Sequence, residues 1–324
     1  MTRSIYDNAI FFETDVIGTQ VVANAAVNNP VELFVHISSS EVYGTALTDP
    51  MDEEHPLNPM SPYAAAKAGA DRLIYSYIKT YDLPAVIVRP FNNYGSYQHL
   101  EKAIPNFIVS ALQDKRLTIH GDGNSSRDWL FVEDHANALI RVIEQGRIGE
   151  TYNIGGSNEI RNIDVAMMIC SILEECIKID TSKILKFSDL IIFVDDRPGH
   201  DQRYAIDSSK IARKLNWNPE ESFNSGLKKT VHWYLENKDW WGKILNEKYH
   251  YYDSDNQLPY LRFAFLVDNR DMFYASNYRM IRHSTWFKDV ITGGDGFYKE
   301  IKYDIGSCPD AEYVASKVVN LPLS

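Results

Sequence analysis

The chain has little cysteine, no excess of basic residues and no long apolar run. Its three cysteines, Cys170, Cys176 and Cys308, lack the spacing of a metal site, and an odd number in 324 residues is typical of a reduced, cytoplasmic protein. Acidic residues outnumber basic ones by 44 to 33, giving a net charge of −11, which argues against a general nucleic-acid binder. No apolar run approaches the roughly 18 residues of a membrane span, and the first residues lack the pattern of a signal peptide.

The order of apolar patterns is that of an α/β protein. Helical periodicity predicts a helix over residues 9–28, and a Ser-Pro start predicts a second helix over residues 61–81. Short apolar runs rich in β-branched residues predict buried strands at Leu33–Ile37 and Ala85–Pro90. Helices and strands that alternate in this way indicate a parallel sheet with crossover helices.

The second half of the chain has shorter and less regular elements. From about residue 91 they indicate a smaller mixed α/β lobe of the kind that binds substrate. Near Trp240 the composition turns Tyr-rich and irregular, and we place a domain boundary near Gly242. We therefore expect one domain over residues 1–242 and an irregular C-terminal appendage over residues 243–324.

Tyr63 and Lys67 lie four residues apart in the second predicted helix, so both side chains can meet one ligand. A free Tyr has a pKa of about 10, and a neighbouring ammonium favours the phenolate, which suits the phenol to act as a general base. The same spacing also occurs on ordinary solvated helix faces, so the pair alone is a weak signal.

Two further motifs follow the predicted strands. SSSEVYG, Ser38–Gly44, comes after the first strand, and RPFNNYG, Arg89–Gly95, closes the second. Ligands of open α/β sheets bind beyond the carboxyl ends of the strands, where these hydroxyls, the carboxylate and the Asn amides can reach them. Each motif alone also suits a capped loop or a turn. Three motifs in this order are far more specific than any one of them.

With these motifs the chain resembles the extended short-chain dehydrogenases/reductases, and within them the nucleotide-sugar 4,6-dehydratases of the dTDP-glucose type. The likeness extends from TRSI at the start to about Trp241 and includes EKAIPNFI, HGDGNSSRDWLFVEDHANAL, GETYNIGGSNEIRN and DDRPGHDQRYAIDSSKIARKLNW. It implies a Rossmann-like parallel sheet, NAD as cofactor and a nucleotide-diphosphate sugar as substrate. It also implies a homodimer formed through the helices at residues 9–28 and 61–81.

The resemblance implies specific catalytic roles. Tyr63 would take the proton of the sugar 4-hydroxyl while a hydride leaves C4 for NAD. Lys67 would bind the nicotinamide ribose and lower the pKa of Tyr63. Ser39 would hydrogen-bond the 4-oxygen, and Glu41 would remove the C5 proton, which the 4-keto group has made acidic.

The resemblance also implies binding roles. Ser38 and Pro90 would join Tyr63 and Lys67 around the cofactor. Arginine suits a pyrophosphate because its planar fork bonds two oxygens at once. The residues implied to hold the sugar diphosphate are Asn93, Lys102, Arg127, Asn162, Arg197 and His200.

Three positions depart from the family pattern. Ser40 stands where the dehydratases have an Asp that protonates the departing 6-hydroxyl and, with Ser39, counts among the catalytic candidates. The resulting Ser-Glu pair resembles nucleotide-sugar decarboxylases and some dehydratases of amino sugars. Asp15 stands where Asn is usual, and Ser96 where Pro is common. Dehydration of dTDP-glucose or a UDP-amino-sugar is therefore our first reading, with 4-epimerisation or decarboxylation as alternatives.

A larger departure is the lack of a glycine-rich fingerprint, GxGxxG or GxxGxxG. The nearest clusters, at Gly121, Gly155 and Gly293, have the wrong spacing. The family pattern begins here in its middle, about two βαβ units late, so we expect an incomplete sheet with an open edge at the strand of Phe34. NAD binding is then expected to be weak or absent, which keeps open a non-catalytic remnant or a sugar-nucleotide binding module.

The tail differs from the dehydratase pattern. Its last stretch, CPDAEYVASKVVNLPLS, weakly resembles the C-terminus of PLP-dependent nucleotide-sugar aminotransferases. We read residues 243–324 as a fused fragment of that kind, with a small interaction module as the alternative.

Overall fold

The computed structural model describes residues 2–47, 51–178, 186–196, 206–246, 262–266 and 318–322. Helices are present where the sequence predicts them, over residues 9–28 and 61–81, and a π-helical turn, Phe12–Ile17, joins the second and third α-helices. Single 3₁₀ turns cover Ser40–Tyr43 and Phe187–Leu190. The α-helices are α1 Thr2–Tyr6, α2 Ala9–Phe11, α3 Gly18–Asn28, α4 Pro62–Tyr81, α5 Ala103–Leu112, α6 Val132–Gln145, α7 Asn162–Cys176, α8 Ser209–Leu215, α9 Phe223–Glu236 and α10 Lys238–Asn246.

The strands of the described residues are short and form four small sheets. They are β1 Phe34–Ile37, β2 Ala85–Pro90, β3 Asn92–Tyr94, β4 Leu117–His120, β5 Ser126–Phe131, β6 Thr151–Ile154, β7 Glu159–Arg161, β8 Ile191–Val194, β9 Arg262–Leu266 and β10 Val318–Pro322. The sheets have the orders β1-β2-β6, β3-β5-β7, β4-β8 and β9-β10. β1, β2 and β6 are parallel, which confirms the predicted α/β class.

Helices cover both faces of the sheet β1-β2-β6, because apolar side chains along its strands point alternately to one face and the other. Phe34 and Ile87 pack with α3 and α4 on one face. Val86 and Val88 pack with α6 and α8 on the other. Burial on both faces explains why these strands read as continuous apolar runs.

β1 is an edge strand of this sheet. In the described part of the chain no other strand is hydrogen-bonded to its outer side, although β9 lies near it. Ile37 at its end is 37% exposed. The open edge expected at the strand of Phe34 is therefore present among the described residues.

The second lobe forms a separate core from about residue 91 onward. Helices α5, α7 and α9 pack around β4 and β5, and their buried side chains form one apolar cluster that includes Tyr94, Ile108, Trp129, Ile169 and Leu227. β7 pairs antiparallel with β5, so the lobe is mixed, as predicted.

The sequence reading differs from the structure in details. The predicted helix over residues 9–28 contains the π-helical turn, and the predicted loop after β1 begins with a 3₁₀ turn. β3, β7 and β8 were not predicted, and β3 and β7, with three residues each, are too short to show a period. α10 runs through Gly242, where we placed a domain boundary, and the tail contains the paired strands β9 and β10. The domain division stays a prediction. None of the described helices is both long and apolar enough to cross a membrane.

Candidate active site

The parallel arrangement of β1 and β2 brings the three sequence motifs to one edge of the sheet. The Ser-rich turn follows β1, Pro90 ends β2, and the first turn of α4 carries Tyr63. Ser61 caps α4 by accepting a hydrogen bond from the Ala64 N–H at 3.1 Å, which fixes where the helix begins. The candidate residues therefore meet where ligands of α/β sheets bind.

The Tyr63 phenol and the Ser39 hydroxyl are hydrogen-bonded. The backbone N–H of Tyr63 donates to the Ser4 hydroxyl at 3.2 Å, which ties this turn to α1. Burial raises the pKa of Tyr63 well above its usual range, the nearby Glu41 and Asp15 carboxylates raise it further, and the Ser39 hydrogen bond lowers it. Of these effects, the Ser39 hydrogen bond is the one that favours the phenolate.

Lys67 lies on the same face of α4, one turn after Tyr63, and is buried. Its ammonium donates a hydrogen bond to the Ile37 carbonyl at 2.9 Å and lies 4.0 Å from Oδ1 of Asp15. Burial lowers the pKa of Lys67, while Asp15 and Asp71 raise it. In this structure the ammonium engages Ile37 and Asp15, and the lowering of the Tyr63 pKa by Lys67 stays a prediction.

The Ser39–Glu41 segment turns sharply after β1. Ser39 caps the 3₁₀ turn by accepting a hydrogen bond from the Glu41 N–H at 3.2 Å. Ser40 is buried, whereas Glu41 is half-buried and close enough to influence the Tyr63 phenol. Gly44 ends the turn at φ +67°, where a Cβ would lie 1.9 Å from the Asn58 carbonyl oxygen. Glycine is therefore required for the chain to leave the site here.

A buried polar network lies beneath these residues. Arg89 on β2 binds Asp71 on α4 through two hydrogen bonds of 2.9 and 3.0 Å, and it also donates to the Tyr43 hydroxyl at 2.8 Å. Tyr43 donates to Oδ1 of Asn153 on β6 at 2.7 Å. The network locks α4 onto the sheet one turn away from Lys67.

The sequence reading missed this network and the partnership of Asp15 with Lys67. Asp71 follows Lys67 by one helical turn, and Arg89 is the single charge in an apolar strand, so both positions carry a signal. Asp15 carries a weaker signal: it stands where the family has Asn, but an acid close to Glu13 in an amphipathic helix reads as part of a solvated face.

The residues expected to bind cofactor and substrate are more dispersed. Ser38 follows β1 and is buried, and its hydroxyl contributes to lowering the pKa of Asp71. Oδ1 of Asn93, on β3, is buried, and in the described part of the chain it accepts no hydrogen bond, so it is available to a ligand. Lys102 occupies the N-cap position of α5, and its exposed ammonium lies 4.0 Å from Oε1 of Glu101.

The remaining substrate candidates belong to the second lobe. Arg127 on β5 is buried and donates to the Ser126 carbonyl at 2.7 Å. Asn162 begins α7, and its N–H donates to the Ser125 carbonyl at 3.0 Å. Arg197 and His200 lie outside the described residues. Within the part of the chain that is described, no cluster of His, Cys, Asp and Glu has the makings of a metal site.

Comparison with known proteins identifies the family. Residues 1–230 match the family described as GDP-mannose 4,6 dehydratase. The dTDP-glucose 4,6-dehydratase of Neisseria meningitidis serogroup B is 48% identical over 258 residues, which cover 76% of this chain and 73% of the relative. The chain belongs to the nucleotide-sugar 4,6-dehydratase family. The resemblance to short-chain dehydrogenases/reductases stated from the sequence is confirmed.

Solved structures agree with this dehydratase assignment. The dTDP-glucose 4,6-dehydratase DesIV from Streptomyces venezuelae, solved with NAD and TYD bound, superposes with a TM-score of 0.69 at 41% identity, covering 75% of this chain and 72% of that one. A UDP-glucuronic acid 4-epimerase from Bacillus cereus, in complex with UDP-glucuronic acid and NAD, reaches a TM-score of 0.62 at 29% identity, covering 68% and 67%. The dehydratase is the nearer of these two in both identity and superposition.

Proposed function

We propose that the chain catalyses the NAD-dependent 4,6-dehydration of a nucleotide-diphosphate sugar to the 4-keto-6-deoxy sugar. The single observation that carries the proposal is the grouping of Ser39, Glu41, Tyr63 and Lys67 at the tips of β1 and β2, with Ser39 hydrogen-bonded to the Tyr63 phenol. The identity to dTDP-glucose 4,6-dehydratases supports dehydration over epimerisation.

The residues divide the proton transfers between them. Tyr63 accepts the proton of the sugar 4-hydroxyl as that carbon is oxidised, and Ser39 holds the 4-oxygen. Glu41 removes the proton at C5, which the new ketone makes acidic, and the C6 hydroxyl leaves as water. Ser40 lacks the acidity to protonate that leaving group, so we assign this proton to Glu41, which passes on the proton taken from C5 through a bridging water.

NAD supplies the acceptor and later the donor of the hydride when bound. Its nicotinamide end fits the described residues, because Ser38, Pro90, Tyr63 and Lys67 converge on the tips of two parallel strands. The usual cradle of the dinucleotide pyrophosphate is a glycine-rich turn that leads from a parallel strand into a helix N-terminus. The described part of the chain contains no such turn. We therefore propose that this chain holds NAD weakly.

For the substrate we propose the oxygen of Asn93 as a hydrogen-bond acceptor and Arg127 as the partner of the pyrophosphate. Arg127 is buried and always cationic, and a buried cation is suited to a charged ligand. Lys102, Asn162, Arg197 and His200 complete the proposed set.

The proposal is tested with the purified chain, excess NAD and dTDP-glucose. We expect a 4-keto-6-deoxy product with the mass of the substrate less one water, and Tyr63→Phe should abolish it. Tyr81→Phe, on the same helix but 55% exposed at its end, is the matched control and should retain turnover. Full turnover in Tyr63→Phe would refute the assigned base.

The buried Ser40 favours 4-epimerisation as a second candidate, because it leaves the 6-hydroxyl without an acid. Epimerisation keeps the mass of the substrate, so the same mass measurement separates the two reactions. Binding of dTDP-sugars by calorimetry without any product would instead favour a binding module or a non-catalytic remnant.

We propose a homodimer formed through α2, α3 and α4. The π-helical turn and α3 expose Phe12, Ile17 and Val21, and α4 exposes Tyr75, so an apolar patch lies on adjoining helices. Val21→Lys should shift the sedimentation coefficient to that of a monomer, whereas Met167→Lys, at an exposed position on α7, should not. We also propose a cytoplasmic location, supported by the free thiols of Cys170 and Cys176.

A further inference from the structure

Lys67 is paired with a carboxylate that the proposed chemistry does not use. Asp15 is fully buried, and its Oδ1 lies 4.0 Å from Nζ of Lys67. Among the described residues neither carboxylate oxygen of Asp15 accepts a hydrogen bond. The ammonium of Lys67 is therefore the main compensation for a charge held inside the protein.

The π-helical turn is what places this carboxylate. Phe12–Ile17 packs directly against α4, and the Thr19 hydroxyl donates to the Asp15 carbonyl at 2.5 Å, one turn later. π-turns inside helices are rare and occur often at functional sites. Here the turn directs an acid at the proposed catalytic pair.

Charged and titratable groups surround the pair of Asp15 and Lys67. Tyr63 of α4 interacts with Asp15 and with Glu41 from the turn after β1, and Lys67 interacts with Asp15 and Asp71. His36 of β1 interacts with Lys67, Asp71 and Arg89. Arg89 is committed to Asp71, and in the described part of the chain Lys67 is the cation paired with Asp15.

We propose that Asp15 is a positioning residue: it draws the Lys67 ammonium to the end of β1 and through it governs how readily Tyr63 exchanges its proton. As a carboxylate it engages the Lys67 ammonium at the end of β1, and its own charge opposes the phenolate. This inference rests on the proposed role of Tyr63 as the base. Its consequence is that neutralising Asp15 lowers the pKa of Tyr63, so a larger fraction of Tyr63 is phenolate, the form that can accept a proton, at any given pH below that pKa.

The direction of the electrostatics agrees with the geometry. Asp15 raises the pKa of Tyr63, and burial raises the pKa of Asp15 itself to about 6. Asp15 is then ionised at neutral pH and takes up a proton as the pH is lowered through about 6.

The test is Asp15→Asn, with Glu13→Gln as the matched control. Both remove one negative charge from the same turn, but Glu13 is exposed and Asp15 is buried. The Tyr63 pKa is read, without NAD or sugar, from the ultraviolet titration of each protein minus that of its Tyr63→Phe counterpart. We expect a fall of about one pH unit in Asp15→Asn and no change in Glu13→Gln. An unchanged or higher Tyr63 pKa in Asp15→Asn would overturn the inference.

A second readout uses the proposed reaction. The rising limb of the pH–rate profile should move to lower pH by about the same unit in Asp15→Asn. A purely structural role would lower the rate at every pH without moving the limb, and that result also overturns the inference. If the phenol titration shifts while no protein turns over substrate, the proposed function fails and the electrostatic role of Asp15 stands.

Discussion

Arg89 and Asp71 join through two hydrogen bonds, of 2.9 and 3.0 Å, in a site where both side chains are almost completely buried. Arg89 holds the pKa of Asp71 well below its usual range, against the opposing effect of burial. The pair links the helix that carries Tyr63 and Lys67 to the central strand of the sheet. The pair therefore fixes the position of this helix, and with it the proposed catalytic residues, relative to the sheet.

Arg89→Met should destabilise the fold strongly, because it leaves the Asp71 carboxylate buried without its partner. We expect the free energy of unfolding, measured by urea denaturation, to fall by about 3 to 5 kcal/mol. Arg161→Met is the matched control, since Arg161 makes the same two-bond contact with Asp164 but on the surface. Arg161→Met should unfold at the same urea concentration as the parent. An equal loss of unfolding free energy in Arg89→Met and Arg161→Met would contradict the role of burial.

Ser61→Ala should weaken the start of α4 and misplace Tyr63. Loss of the cap on the Ala64 N–H should cost about 1 kcal/mol of unfolding free energy and lower turnover several-fold. Ser222→Ala removes an equivalent cap, on the Ser225 N–H at 3.2 Å, from α9. It should cost similar stability and leave turnover unchanged. Equal turnover in the two variants would show that the cap does not position Tyr63.

Gly44→Ala should disrupt the turn that carries Glu41. The backbone there has φ +67°, and an added methyl group would collide with the Asn58 carbonyl, so we expect a loss of at least about 2 kcal/mol in urea denaturation. Gly242→Ala is the control, because a Cβ at that position in α10 meets nothing within 4 Å. It should stabilise the protein by about 0.5 to 1 kcal/mol, as expected of alanine inside a helix. Similar losses at both positions would contradict the strain argument.

The sequence predicted the fold where local rules act. α4 begins at its Ser-Pro cap and ends at Tyr81, and the apolar runs around Phe34 and Ile87 form the parallel strands. Parallel strands present their carboxyl ends at one edge, so the meeting of Ser39 with Tyr63 was foreseeable from the motifs.

The electrostatics of the site were not foreseeable in this way. They depend on contacts between elements distant in sequence, such as Asp15 with Lys67 and Arg89 with Tyr43. The pKa of Tyr63 depends on the groups to which the Lys67 ammonium binds, and the spacing of Tyr63 and Lys67 along the helix does not determine those groups.

His36 and Asp15 are buried groups with opposite effects on stability at acid pH. Burial lowers the pKa of His36 to about 3. Below about pH 6.5 the unfolded chain therefore binds a proton that the folded chain does not, and the free energy of unfolding decreases as the pH is lowered. Burial raises the pKa of Asp15 to about 6, so between pH 6 and about 4 the folded chain binds the extra proton, and stability rises as pH falls. Each effect amounts to about 1.4 kcal/mol per pH unit within its window.

Between pH 6 and 4 these two contributions offset one another in the parent protein, and single variants should separate them. His36→Gln removes the loss, so its unfolding free energy should decline less than that of the parent as the pH is lowered from about 6.5 to 4. Asp15→Asn removes the gain, so its decline should be steeper than that of the parent over the same range. Urea denaturation at each pH measures both slopes, and the double variant should return to a slope near the parental one, because the two opposed proton uptakes are then both gone. Slopes that change in the same direction in the two single variants would refute the assignment of opposite signs.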